Sequence, residues 1–350
     1  MIRLTRAAVA GLGDREPTVA NVRKSLQLAI ELEHSTIPPY LYALFSLTPG
    51  TNDEVSRIIR SVVVEEMLHM VLAANVLNAI GGKPAISRAN FTPRYPGPLP
   101  GGVEGQLEVQ LRPFSKDQLA TFIEIEEPRQ TLDEQPLADQ VGACTIGEFY
   151  TTISSALERV GSHAFTGFAH HQVGPDLMFG SVQVTDIASA QCAIETIIEQ
   201  GEGTGTSPME IDGPGGSNDY AHYYRFMEVW EGRRLVPDPT SLHGFSYTGE
   251  VVTVDPQGVA PLPVNPRSHH YGEGSDRHRR NLEVNATYTH ILASLHKLTN
   301  GHADMDTFMA SLGLMRTFEQ QARELVTTSV AEGAPAGPTF EYHAATLTRL

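Results

Sequence analysis

Cysteine is almost missing: only Cys144 and Cys192 occur in 350 residues. Two distant thiols provide neither a disulfide framework nor a thiolate metal site of recognisable spacing, so a reducing compartment and ordinary packing roles are expected for both. Basic charge is also scarce, with 25 Lys+Arg against 41 Asp+Glu and a formal net charge of −16. That balance argues against nucleic acid or an anionic membrane surface as the main partner. No uninterrupted run of about 18 apolar residues occurs, which speaks against an ordinary membrane span. At the N-terminus, Arg3 and Arg6 precede an apolar stretch that glycine and charge soon break, so no secretory signal is read there and the expected location is cytoplasmic. Gly-rich segments lack the strand and helix context of a phosphate loop, and no nucleophile elbow or triad motif is found.

What the chain does have is enough apolar residue, 41%, to bury a large core, and strong helical periodicity interrupted by Pro/Gly-rich stretches. The reading is a mainly α protein, residues 1–350 forming one elaborated domain. Bundle helices are expected over about 22–47, 52–80, 186–200 and 218–231. Long insertions fill 83–184 and 235–276, and extra C-terminal helices follow over about 276–299 and 304–328. Within the first insertion, Ser115/Gln118 and Thr145/Glu148 read as capping boxes that open further helices. Pro38-Pro39 interrupts the first bundle helix, frees the carbonyls of His34 and Ser35, and predicts a kink.

Charge inside the oily helices is the informative feature. The stretch VVVEEMLHMVLAANVLNAIGG, residues 62–82, holds Glu65, Glu66 and His69 with almost no polar face around them, and an unpaired buried charge costs several kcal/mol. Glu66 and His69 are three apart and share one helix face. Asp219 and His222 repeat the spacing, while Glu33 and Glu199 each place a single carboxylate in an apolar helical pattern. Two helices with a carboxylate-x-x-His pair and two with a lone carboxylate make up the constellation of dinuclear iron or manganese bundles. Carboxylates bridge and neutralise two divalent ions, and imidazoles hold one ion each while leaving positions open. Each piece alone has a bland alternative. An E-x-x-H on a helix often serves as a surface ion pair, Asp219 suits a helix start, and periodicity barely separates Glu31 from Glu33 or Glu195 from Glu199.

Together, LQLAIELEHSTIPPYLYALFSL, VVVEEMLHMVLAANVLNAIGG, LRPFSKDQLATFIEIEEP, AIETIIEQGEGT and AHYYRFMEV resemble the ferritin-like domain of the iminophenyl-pyruvate dimer synthase type, found in violacein-type pathways and in stand-alone proteins. The resemblance spans about residues 20–232, and GPTFEY at 337–342 is similar too. It implies a ferritin-like four-helix bundle with a metal site on Glu33, Glu66, His69, Glu199, Asp219 and His222. The fourth helix of that family more often reads E-x-x-H, so Asp219 is a departure with a shorter reach. His34, Tyr40, Glu65 and Arg225 are candidates for supporting the ligands or meeting substrate.

The resemblance further implies two iron ions, with manganese suited to the same donors, and an oxidase or oxygenase of secondary metabolism. Its expected partners are dioxygen and a small amino-acid-derived molecule such as an imine or enamine. The alternatives are a storage protein or a metal-poor scaffold without oxidase activity. Pairing of subunits is left open.

Overall fold

Thr18 starts helix α1 (Val19–Ser46) by accepting from the Asn21 backbone N–H, and the Asn21 side chain returns to the Thr18 backbone. In the computed structural model, which describes residues 3–4, 8–13, 16–104, 107–128, 144–203, 207–209, 220–241, 243–344 and 347, seven further helices follow among the described residues. They are α2 (Asp53–Ala79), α3 (Lys116–Glu126), α4 (Ile146–Val160), α5 (Ile187–Gly201), α6 (His222–Glu231), α7 (Asp276–Leu298) and α8 (Met305–Ala331). Among the described residues there are also three 3₁₀ turns, Ser162–Ala164, Pro256–Gly258 and Ser268–Tyr271, and two short antiparallel strand pairs, Arg3–Leu4 with Val103–Glu104 and Val236–Pro237 with Phe245–Ser246.

Local chemistry sets the helix starts. Ser115 caps α3, Thr145 and Glu148 form a reciprocal capping box on α4, and Asp186 caps α5. Each satisfies backbone N–H groups that the first turn leaves unpaired. The expected interruption of α1 is not present as a break: one helix continues through Pro38 and Pro39. The Tyr95 hydroxyl donates to the carbonyl of Ser35 at 2.7 Å, which satisfies one of the two acceptors that the prolines free.

Helices α1 and α2 lie along one another, as do α7 and α8, and α3 packs on α6 while α4 packs on α5 and α1. The stretch 83–184 is therefore more than an insertion, because α3 and α4 form part of the wall around α1. By length and composition an 18-residue window of α2 is apolar enough to cross a membrane, with mean hydropathy 1.4, but 83% of it is buried inside the protein. Its oiliness serves the core, where a fully buried Leu or Ile contributes roughly 1.5–3 kcal/mol.

The C-terminal segment hangs on α7 by a regular device. Backbone N–H groups of Thr339 and Glu341 donate to the side-chain oxygens of Asn281 and Asn285, each at 3.1 Å, and that of His343 donates to Thr289 at 2.9 Å. Four residues of helix rise about 6 Å and two residues of extended chain about 6.6 Å, so the two spacings match. Phe340, between the hung residues, is buried with its ring against Tyr288 and Phe318.

Candidate metal centre

Five ionisable side chains from four helices meet in the interior: Glu33 of α1, Glu66 and His69 of α2, Glu126 of α3 and His222 of α6. They form two groups with ligand atoms close enough to hold an ion, Glu33–Glu66–His69 and Glu66–Glu126–His222. Glu66 belongs to both. The packing of α3 on α6 and of α1 on α2 brings the two triads together around that shared carboxylate.

The imidazoles are fixed by what holds their outer nitrogens. Nε2 of His222 lies 2.9 Å from Oε2 of Glu65, and Nε2 of His69 lies 3.0 Å from Oε1 of Gln200. Both partners are oxygens that accept, so each Nε2 donates its proton and each Nδ1 is left for the cluster. Nδ1 of His69 is 3.5 Å from Glu33, and Nδ1 of His222 is 2.9 Å from Glu66 and 3.5 Å from Glu126. The approach of His222 to Glu66 is close but is not aligned as a hydrogen bond, and this buried Nδ1 has no hydrogen-bond partner. Two donors facing a common centre have that geometry. The rings of His69 and His222 stack with centroids 5.3 Å apart.

Neutral and cationic groups surround the carboxylates. The Tyr150 hydroxyl donates to Glu33 at 2.6 Å, the Thr36 hydroxyl lies 2.8 Å from Glu66, and the Tyr40 hydroxyl donates to Glu126. Arg225 pairs with Glu65 and also donates to Ser61 at 2.9 Å. Burial opposes ionisation of Glu65, but the Arg225 charge and His222 overcome it and hold the carboxyl down at about 2.

Glu66 shows the opposite behaviour. Burial, together with the negative charges of Glu126 and Glu33, pushes it up to about 8. Burial would also depress His222, yet Glu126, Glu65 and Glu66 hold it well above its usual range. In the absence of a cation the cluster thus retains protons to limit its own repulsion. Divalent ions neutralise the same charges, and hard oxygen donors with imidazole nitrogen and no thiolate suit iron or manganese. The residues fit such a pair of ions.

The enclosed space at the cluster is about 20 Å³, room for about one water. Ile146 and Gly147 at the start of α4, and Ile197, Ile198 and Glu202 at the end of α5, close it on one side. Glu202 accepts from the backbone N–H of Gly147 at 2.7 Å and from the Thr145 hydroxyl at 3.1 Å, at the positive end of α4. A Cβ on Gly147 would lie 2.6 Å from Oε2 of Glu202, so only glycine permits this contact. Burial of the carboxyl pushes Glu202 up to about 7.

Of the residues expected from sequence, Glu33, Glu66, His69 and His222 come together. Glu31 instead meets Arg88 and Gln27, which resolves the choice between it and Glu33. Glu199 does not line the cavity: it is half-buried, Glu195 is exposed, and α5 reaches the site through Gln200 and Glu202. Asp219 lies outside the described residues. Tyr40, Glu65 and Arg225 support the cluster, whereas His34 turns the other way, with Nε2 on the Tyr288 hydroxyl at 2.7 Å. Glu126, Tyr150, Gln200 and Glu202 were missed. A signal for Glu126 existed, because it continues the buried face of α3 formed by Gln118, Leu119, Phe122 and Ile125.

Known proteins bear on this arrangement. A family model described as Ferritin-like matches residues 26–231. Across 93% of its length the chain is 24% identical to dichlorochromopyrrolate synthase of Lentzea aerocolonigenes, and it spans only 36% of that relative. The crystal structure of a ferritin-like protein from Caulobacter vibrioides is similar with a TM-score of 0.62 at 22% identity, covering 93% of this chain and 99% of that one. The second likeness concerns the fold alone.

Proposed function

For a chain that belongs to the ferritin-like family, we propose a dinuclear metal oxidase or oxygenase that acts with dioxygen on a small amino-acid-derived molecule, such as an imine or enamine, in secondary metabolism. The observation that carries this reading is the position of Glu66 in both triads. Glu33 and His69 would complete one ion's protein donors and Glu126 and His222 the other's. Two ferrous ions, when bound, supply two electrons for dioxygen, and manganese suits the same donors.

The chain's own contributions follow from its contacts. Gln200 and Glu65 keep the imidazole tautomers that leave Nδ1 on the cluster. Tyr150 and Tyr40 hold the terminal carboxylates in place by hydrogen bonds. The isoleucines at the α4 and α5 ends limit water, and an organic molecule would approach from this side, where the cavity wall is made of helix termini rather than helix interiors. A relative whose name states a synthase supports a biosynthetic role.

Anaerobic titration with Fe(II), metal analysis and measurement of oxygen uptake test the proposal. About two irons per chain with uptake tied to those irons is expected. Many irons per chain would point to storage, and no retained metal would point to a scaffold.

A further inference from the structure

A second cavity lies behind the pair α1–α2, on the side covered by α7 and α8. On α1 the residues Glu33, Thr36 and Tyr40 turn to the carboxylate cluster, while His34, Leu41 and Phe45 line this other space. Its volume is about 150 Å³, the size of an apolar protein cavity that accepts benzene.

The lining selects the shape and polarity of an occupant. Met67, Met70 and Met315 contribute polarizable thioethers that adapt to, and are attracted by, aromatic rings. Phe45 and Phe318, with ring centroids 5.9 Å apart, offer edges and faces for further ring contacts. The two charged lining residues, Arg60 and Glu319, are joined to each other at 2.6 and 2.9 Å, so the cavity provides no free charge for an ionic ligand. His34 and Tyr288 also line it, but Nε2 of His34 is engaged by the Tyr288 hydroxyl at 2.7 Å. Nδ1 of His34 is closed to solvent, so this pair offers the cavity no free hydrogen-bonding group.

We infer that this cavity binds a neutral, apolar molecule the size of one aromatic ring, held by the methionine and phenylalanine wall. This site is separate from the carboxylate cluster and does not depend on the reading of that cluster. The apolar wall disfavours a charged amino acid.

Phenol and benzene are the probes, titrated calorimetrically into the full-length protein. Saturable one-to-one binding of benzene is expected, with phenol roughly fivefold weaker because its hydroxyl would be buried without a partner. Val64 lines the mouth and is 49% exposed, so Val64→Trp covers the opening with little demand on folding. That variant is expected to lose benzene binding at least tenfold while its circular dichroism and metal content stay unchanged. Absence of benzene binding to the wild-type chain, or undiminished binding to V64W, would overturn the site. Phenol binding as tight as benzene or tighter would overturn the proposed apolar ligand class.

Discussion

Glu65 holds Nε2 of His222 at 2.9 Å, while the next residue in the chain, Glu66, stands at the same distance from Nδ1 of that ring. Adjacent residues on a helix point about 100° apart, and here the two carboxylates reach opposite nitrogens of one imidazole. One fixes the ring, and the other faces the nitrogen left for a metal ion.

Glu65→Gln retains size but removes the charge that draws the Nε2 proton outward. Metal affinity at the His222 site is expected to fall about 10–100-fold, with the first site less affected. Competition against a chelator of known affinity measures this, and an unchanged affinity would deny Glu65 its orienting part.

Arg225→Met leaves Glu65 buried without its cationic partner, although His222 remains. Loss of one member of a buried pair typically costs about 3–5 kcal/mol, and the lower end is expected here because of His222. Urea unfolding of the metal-free chain reads the change. A loss under about 1 kcal/mol would show that Glu65 is satisfied by the histidine alone.

Glu126→Ala and Glu66→Ala should differ in stoichiometry. The first removes a donor from one triad, so about one ion is expected to survive dialysis; the second removes the carboxylate common to both, so neither should. Metal analysis after dialysis decides, and full retention of both ions by E126A would place the second site elsewhere.

Glu319 gives a pH dependence remote from the cluster. Its hydrogen bond from Arg60 outweighs burial and, with Arg323, holds the carboxyl down at about 2. The folded value is below the unfolded one, so its contribution is present above about pH 4.5 and is lost as pH falls toward 2. About a third of the side chain remains exposed, 34%, which limits the contribution to roughly 0.5–1 kcal/mol. Glu319→Gln should therefore be destabilised by that amount at pH 7 and approach wild type at pH 3 in urea unfolding. A difference that grows on acidification would refute the assignment.

Much of this architecture was legible in the residues. Caps at Ser115 and Thr145 announced two helices because short polar side chains satisfy first-turn N–H groups wherever they stand. Glu66 and His69 were legible because a charge inside a continuous apolar helix demands compensation. Glu126 was harder: α3 is only 11 residues long and ends on this glutamate, so its acidic neighbours made it look like a solvated terminus. For α5, periodicity barely separated Glu195 from Glu199 and the resemblance pointed to Glu199, whereas the site takes Gln200 and Glu202, the latter just beyond the last helical residue. A 100° repeat cannot follow the chain past the helix end to Glu202. Tertiary approach of α4, with Gly147 clearing the space, decided which carboxylate enters.

The hung segment on α7 has a consequence for assembly during synthesis. Ala336 and Phe340 fill the same interior as Leu26 and Ile30 of α1, yet they leave the ribosome some 300 residues later. Until they arrive, Asn281 and Asn285 lack the partners that Thr339 and Glu341 supply, so the seam along α7 closes only when synthesis is nearly finished.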